Sequence, residues 1–299
     1  MLPPRHRAIV TLHSTSDKRT AETGKSKSID DTPVMILRNP GALTVQSWFA
    51  RHVPSEQNGL RRRMRNSDHH SLSTIEHNFM DDTTTQSVRE SYDRIADEYA
   101  LRIFNELQHK PLDRELLDRF AAEVAGSGAV CDMGCGPGHV ARYLRDAGIS
   151  VFGLDLSPQM IEEARRLNPD ISFQEENMMR LSLEDSALAG ITAFYAIVNI
   201  PKESLPLVFR EMERVLQPGG LLLLGFHTGD EGLQEKELWG RPISLNFFLF
   251  QPLVIRQYLE AAGLGIEEII ERGPYAPEVE YQSRRAYIFA RKPDSLTQQ

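Results

Sequence analysis

Along residues 129–226, short apolar segments alternate with amphipathic segments, and this alternation constrains the fold more than any other feature of the sequence. The apolar run Ala129 to Met133 has the length of a strand, and an amphipathic stripe that ends at Gly148 follows it. Further strands are predicted at Ile149 to Leu156, Ile171 to Gln174, Ile191 to Ile197 and Leu221 to Phe226. Such alternation predicts an α/β protein whose parallel sheet is covered by helices on both faces.

Helices are also predicted on either side of this region. The stripe Val88, Tyr92, Ile95, Ala96 and Tyr99 has helical spacing, and a second helix is predicted from Pro111 to Gly126. We therefore assign residues 85–126 to a helical cap. Later in the chain, Pro218-Gly219-Gly220 is predicted to form the turn between a helix and the strand that begins at Leu221.

The first 80 residues differ in composition from the remainder. They carry 12 Lys and Arg against 7 Asp and Glu, hold six of the nine histidines and lack a sustained apolar period. We predict that residues 1–84 are a disordered extension, because such a segment has too little apolar surface to offset its ordering entropy. Three alternatives remain for this extension. The basic run Arg61 to Arg65 could be a nucleic-acid or address patch, the start of the chain could be a transit peptide, or translation could begin at Met80.

Charge and cysteine content exclude several classes of protein. The net charge of −8 argues against nucleic-acid binding, and no apolar run approaches the roughly 20 residues of a membrane helix. Cys131 and Cys135 are the two cysteines, which favours a reducing, cytoplasmic setting without a disulfide framework. We predict no metal site, and the oligomeric state is left open.

A glycine-rich loop follows the first predicted strand of the sheet. Asp132 ends that strand, and Gly134-Cys-Gly-Pro-Gly138 leads into the next helix, where free N–H groups and glycine backbone allow a ligand to approach closely. The glycine spacing is G-x-G-x-G, and His139 stands where the G-x-G-x-x-G pattern of a dinucleotide-binding loop would have its third glycine. The carboxylate of Asp132 would also repel a pyrophosphate but attract an ammonium. Asp155 ends the second strand and can accept hydrogen bonds from ribose hydroxyls. These features favour S-adenosylmethionine over NAD.

Three segments together resemble the motifs of the class I S-adenosylmethionine-dependent methyltransferases. They are Val130 to His139, Gly153 to Met160 and Leu216 to Gly220. The resemblance implies a three-layer Rossmann-like fold, with a seven-stranded, mostly parallel sheet in the order 3-2-1-4-5-7-6 and strand 7 antiparallel. Strands 6 and 7 would be Ile266 to Ile270 and Ala286 to Ala290, within a domain over residues 127–293 and before a tail at 294–299.

The resemblance also implies the residues that bind the cofactor. The glycine loop would lie along the methionyl part with Asp132 near its amine, Asp155 would hold the ribose, and Leu156 would pack on the adenine. Asn177 would meet the adenine amine, and two tyrosines of the first helix would cap the cofactor. The full set is Tyr92, Tyr99, Asp132, Gly134, Cys135, Gly136, Gly138, Asp155, Leu156, Ser157, Asn177, Met178 and Ala196.

The substrate side of the site is less defined by the sequence. His227 follows the fifth strand and Tyr195 lies on the fourth, so both are candidates to remove a proton from a methyl acceptor. Aromatic residues in an insertion at 228–252 could line an acceptor pocket, and Arg284 or Arg285 could meet an anionic substrate. A structural role for each is the alternative.

Methyl transfer to a small-molecule acceptor by in-line displacement is the function that we predict. A methyltransferase acting on a macromolecule and a regulatory protein that binds S-adenosylmethionine without turnover are the alternatives, and an NAD(P) oxidoreductase is less favoured by the glycine spacing. The acceptor and the atom that is methylated are not defined by the sequence.

Overall fold

One mixed sheet organises the part of the chain that the computed structural model describes, residues 34–38 and 82–294. Its strands are β1 (Val34–Arg38), β2 (Val130–Met133), β3 (Val151–Asp155), β4 (Ser172–Glu175), β5 (Leu188–Phe194), β6 (Leu216–Thr228), β9 (Gly265–Arg272) and β10 (Arg284–Arg291). Between β6 and β9, β7 (Leu233–Leu238) and β8 (Arg241–Phe247) form a separate two-stranded sheet. The order in the main sheet is β1-β9-β10-β6-β5-β2-β3-β4.

The sheet confirms the implied strand order and adds one strand to it. Strands β2 to β6 pair in parallel, and β10 is antiparallel to both β6 and β9. The eighth strand, β1, pairs antiparallel with β9 from Val34↔Arg272 to Arg38↔Glu268. The extension that we predicted to be disordered therefore contains one structured segment. Its backbone pairs with β9 at the edge of the sheet, and this pairing stabilises it. The rest of that extension, including the basic run and Met80, lies outside the described residues.

Six α-helices occur in the described residues. They are α1 (Asp82–Ile103), α2 (Pro111–Val124), α3 (His139–Asp146), α4 (Pro158–Leu167), α5 (Leu205–Val215) and α6 (Pro252–Ala261), with a short 3-10 helix at Glu106–His109 between α1 and α2. Both predicted cap helices are confirmed, although α1 begins three residues before residue 85. None of the described helices is long and apolar enough to span a membrane.

The helices form layers on the two faces of the sheet. Phe209 of α5 and Leu259 of α6 lie in one buried cluster, while Phe120 of α2 and Leu144 of α3 lie in another on the opposite face. Because alternate strand residues point to opposite faces, Leu222 and Leu223 of β6 contribute to different clusters. This arrangement confirms the three-layer fold.

The aromatic insertion is the hairpin of β7 and β8, which packs on α1. Ile95 of α1 lies in a third buried cluster with Ile243 and Leu245 of β8. The rings of Tyr99 and Trp239 are 5.9 Å apart between centroids. The insertion therefore holds the cap helix against the domain.

Two strand boundaries differ from the prediction. β5 ends at Phe194, so Tyr195 lies just beyond the strand rather than on it, with a left-handed φ of 56°. β6 begins at Leu216, and its register with β5 shifts between Leu188 and Gly190, so the predicted Pro-Gly-Gly turn is an irregularity within a strand. Gly219 has a φ of 76°, which only a residue without Cβ adopts readily.

Candidate active site

A cavity of about 870 Å³ lies at the carboxyl ends of β2, β3 and β5, where ligands bind in open α/β sheets. The described residues that line it are Thr85, Val88, Tyr92, Tyr99, Glu106, Gly134, Cys135, Gly136, His139, Asp155, Leu156, Met160, Asn177, Met178, Met179, Phe194, Tyr195, Ala196, Asn199 and Ile200. Ten of the thirteen predicted cofactor residues are among them, and Asp132, Gly138 and Ser157 are not.

The glycine loop brings its backbone to the cavity at two of its three glycines. Gly134 and Gly136 line the cavity with φ values of 68° and 50°. A Cβ on Gly134 would lie 2.6 Å from that of Ala196, so a side chain there would collide with the opposite wall. Gly138 precedes α3 and lies close to Phe173, and it is not among the residues that line the cavity.

Asp132 faces away from the cavity and supports the loop from behind. Its side chain is buried, and its carboxylate accepts hydrogen bonds from the backbone N–H of Ala141 at 3.0 Å and from Thr192 Oγ1 at 3.1 Å. Burial raises the pKa of Asp132 to about 6. Asp132 is thus not among the residues that line the cavity, because its carboxylate caps the first turn of α3, and its contact with a ligand amine stays a prediction.

Asp155 ends β3 and lines the cavity as predicted. One carboxylate oxygen accepts from the backbone N–H of Gly136 and the other from that of Ser157, both at 2.9 Å. Burial raises the pKa of Asp155, whereas these two hydrogen bonds act to lower it. Each oxygen retains a further lone pair, so the two N–H groups fix the carboxylate without exhausting its capacity to accept hydrogen bonds.

The residues after β3 and β4 extend this wall of the cavity, except Ser157. Asn177 accepts a hydrogen bond from the backbone N–H of Met179 at 2.9 Å, which orients its side chain. Ser157 is buried, accepts from the backbone N–H of Met160 and donates to Asp93 at 2.6 Å. Ser157 is the N-cap of α4, and it is not among the residues that line the cavity, so its cofactor contact stays a prediction.

Glu106 is a cavity-lining carboxylate that sequence reasoning missed. It lies on the 3-10 helix between the cap helices, with Lys110 Nζ at 2.8 Å and His139 Nε2 at 3.4 Å. Burial acts to raise its pKa, but hydrogen bonds and charges from His139 and Lys110 lower the pKa of Glu106 to about 2. It is therefore an anion at neutral pH. No motif or periodic pattern marks it in the sequence.

The two predicted proton acceptors are poorly placed for that task. Tyr195 lines the cavity, but its hydroxyl lies 3.1 Å from that of Tyr287 and 3.3 Å from Asp113 Oδ1, and burial raises its pKa well above the ordinary value. His227 does not line the cavity, since its ring lies behind Tyr195 at 4.8 Å between centroids. These contacts give both side chains partners within the protein, and a role of His227 as proton acceptor stays a prediction.

The two predicted anion-binding arginines also lie outside the cavity lining. Arg285 is buried and pairs with Glu280 at 3.2 Å, and Arg284 lies 3.8 Å from Glu271. Both guanidinium groups thus have carboxylate partners within the protein.

The half-buried His227 predicts a dependence of stability on pH. Burial, with the charges of Arg285 and Lys110, lowers the pKa of His227 from 6.5 to about 3. The unfolded chain binds a proton there as the pH falls below about 6.5, whereas the folded chain does not, so stability decreases in that direction. Between pH 8 and pH 5, we expect this residue to account for about 2 kcal/mol of lost unfolding free energy.

Urea denaturation of His227→Asn at both pH values measures this effect. The variant is expected to lose about 2 kcal/mol less than the unmodified protein over the same pH interval. His109→Asn, at an exposed position, is the matched control. Equal losses in His227→Asn and the unmodified protein would show that His227 is protonated normally in the folded state.

A family model described as a methyltransferase domain matches residues 130–220, which contain the glycine loop, Asp155 and β5. Residues 130–220 therefore form a methyltransferase domain. S-adenosylmethionine is the cofactor that this domain implies. The cavity fits such a ligand, because it combines exposed backbone at Gly134 and Gly136 with carboxylates at Asp155 and Glu106.

Named relatives of the methyltransferase domain act on different compounds. A malonyl-(acyl-carrier protein) O-methyltransferase of Enterobacter lignolyticus is 30% identical over 156 residues, 52% of this chain and 59% of that protein. A 2-methyl-6-phytyl-1,4-hydroquinone methyltransferase of Synechocystis sp. is 30% identical over 119 residues, 38% of this chain and 37% of that protein. The chain thus spans less than two thirds of the length of these curated relatives.

The fold is also shared with a protein named for another reaction. The structure of the cyclase SpnF matches with a TM-score of 0.55 at 18% identity, covering 71% of this chain and 97% of that chain. At this identity the likeness concerns the fold alone. The reaction of a methyltransferase domain must therefore be argued from its site.

Proposed function

We propose that the protein transfers a methyl group from S-adenosylmethionine to a small-molecule acceptor. The observation that carries this proposal is the cavity at the carboxyl ends of β2, β3 and β5, which joins the glycine loop to a hydrogen-bonded Asp155 under a cap of tyrosines. A cavity covered by α1 suits a small acceptor better than a macromolecule, which needs an open surface.

Each part of the cofactor has a complementary wall in this proposal. Asp155 accepts hydrogen bonds from the ribose hydroxyls with the lone pairs that Gly136 and Ser157 leave available. Leu156 and Met178 pack against the adenine, and Asn177 lies beside them. Tyr92, Tyr99 and Ala196 enclose the methionyl side, where the tyrosine rings combine an apolar surface with a polar end.

Glu106, and not Asp132, binds the ammonium group of the cofactor in this proposal. It lines the cavity together with the glycine loop, and it is anionic at neutral pH. Lys110 and His139 hold its two oxygens in place. Charge-assisted hydrogen bonds of this type are stronger than those between neutral groups.

The contribution of the protein to methyl transfer is mainly positional. When bound, S-adenosylmethionine would supply a methyl group activated by a positively charged sulfur, and its transfer would leave the neutral thioether S-adenosylhomocysteine. The walls align the two reactants and exclude water, which supplies much of the rate of such reactions. The proposal requires no proton transfer to Tyr195 or His227.

Calorimetry and a labelled methyl donor test the proposed function. S-adenosylmethionine and S-adenosylhomocysteine are expected to bind and NAD is not, and label is expected to appear in low-mass products of a metabolite extract. NAD binding without the other two ligands would contradict the proposal. Label confined to protein or nucleic acid would favour a macromolecular acceptor, and binding without transfer would favour a regulatory role.

Glu106→Gln is expected to weaken binding of S-adenosylhomocysteine by about 10-fold, because a neutral amide loses about 1.5 kcal/mol of charge-assisted interaction with the ammonium. Binding of 5′-methylthioadenosine, which lacks the amino acid part, should change by less than about twofold. Calorimetry measures both, with Glu115→Gln at an exposed position of α2 as control. If the affinity for both ligands decreased equally, Glu106 would not contact the ammonium group.

A further inference from the structure

A second cavity, of about 620 Å³, adjoins the first. The two cavities share Val88 and Asn199 as lining residues. The described residues that line the second cavity are Thr83, Thr84, Ser87, Val88, Asn199, Pro201, Ser244, Asn246 and Phe248. It is thus built from the start of α1, the segment after β5 and the end of the hairpin, and it lies next to the proposed cofactor site.

The chemistry of the second cavity differs from that of the first. Hydroxyl groups come from two threonines and two serines, carboxamides come from Asn199 and Asn246, and the described lining contains no ionisable side chain. Hydroxyls and carboxamides both donate and accept hydrogen bonds, so they match neutral polar groups. An ionised group placed there would find no side chain of opposite charge in the described lining.

Asn199 lies at the junction of the two cavities in a fixed orientation. Its Oδ1 accepts from Tyr92 Oη at 2.7 Å, and its Nδ2 donates to the backbone carbonyl of Asn246 at 2.8 Å. These bonds link the cap helix to the hairpin through a buried side chain. These two bonds use one of the two N–H groups and one of the two oxygen lone pairs of the carboxamide, so Asn199 can also position a neutral ligand.

We propose that the second cavity binds the methyl acceptor, and that the acceptor is an uncharged molecule carrying hydroxyl or amide groups. This inference rests on the proposed methyl transfer and adds the substrate class and its site. The ionised side chains of the first cavity, Glu106 and Asp155, serve the cofactor, while the neutral lining of the second selects the acceptor. Val88, Pro201 and Phe248 supply apolar contacts to its carbon skeleton.

Fractionation of labelled products tests the substrate class. The protein is incubated with S-adenosylmethionine labelled in its methyl group and a deproteinised metabolite extract, and the products pass over anion and cation exchangers. After subtraction of an enzyme-free control, the label is expected in the fraction that neither exchanger retains. Label found mainly in a retained fraction would overturn the inference while leaving methyl transfer intact.

Two variants that fill the cavity test the location. Ser244→Trp, and separately Thr83→Trp at an exposed position of α1, are expected to reduce labelled product by at least about 10-fold, with the Kd for S-adenosylhomocysteine changed by less than about twofold. Glu235→Trp, exposed on the same hairpin and outside both cavities, should retain full transfer. Full transfer by both filled variants would overturn the site. If the unmodified protein binds S-adenosylhomocysteine but transfers no label, the proposed function itself fails, and this inference fails with it.

Discussion

Asp155→Ala is expected to weaken binding of S-adenosylhomocysteine by at least about 100-fold, because two hydrogen bonds to a charged acceptor contribute about 3 kcal/mol or more. The carboxylate lines the cavity, and its orientation is fixed by the backbone N–H groups of Gly136 and Ser157. The loss should therefore combine the missing ribose contact with a less ordered glycine loop. Calorimetric titration measures the change.

A ligand without a ribose hydroxyl separates the two parts of this effect. A 2′-deoxyribose analogue of S-adenosylhomocysteine should bind weakly to the unmodified protein and lose less affinity in Asp155→Ala than the parent ligand does. Asp146→Ala, which removes an exposed carboxylate from the end of α3, is the matched control. If affinity for the parent ligand were unchanged in Asp155→Ala, the ribose assignment would be wrong.

Arg272→Met is expected to lower the unfolding free energy by about 3 to 5 kcal/mol, which is the usual cost of removing one partner from a buried ion pair. Arg272 is 1% exposed and contacts Asp113 at 3.0 Å and Glu280 at 2.5 Å. Its Nε also donates to Tyr287 Oη at 3.0 Å. Methionine fills a similar volume but leaves two buried carboxylates without this cation, and urea denaturation at pH 7 measures the result.

An exposed ion pair provides the comparison for this variant. Arg166→Met removes the partner of Glu163 on the surface of α4, where the guanidinium side chain is 64% exposed, and it should cost less than about 1 kcal/mol. A loss below about 1 kcal/mol in Arg272→Met as well would show that the buried network does not stabilise the fold.

The same buried network supports one wall of the cavity. The hydroxyls of Tyr195 and Tyr287 both lie within hydrogen-bond distance of Asp113, which Arg272 holds from the other side. Tyr195 has a left-handed φ of 56°, a conformation that an aromatic residue adopts only when its surroundings enforce it. We therefore expect Arg272→Met to weaken ligand binding as well as to lower the unfolding free energy.

The sequence by itself determined the layered fold and the position of the cofactor loop. Both depend on features that are local in the chain: the apolar period distinguishes strands from helices, and the residues directly after parallel strands must meet at one edge of the sheet. Gly134, Gly136 and Asp155 were therefore predicted correctly as lining residues. The strand order came from the resemblance of three motifs to a known family.

Only the tertiary structure decided which side chains point into the cavity. Asp132 and Gly138 belong to the same motif as Gly136, yet Asp132 is hydrogen-bonded to Thr192 and Gly138 lies against Phe173, so the motif alone does not show which of its residues line the cavity. Glu106 and Asn199 lie in short segments without a period, and their places depend on contacts with residues far away in the chain. The strand β1 likewise depends on pairing with β9, which lies more than 200 residues later. Local patterns carry no information about such long-range contacts, so the proposed ammonium site at Glu106 and the second cavity emerge only when the chain is folded.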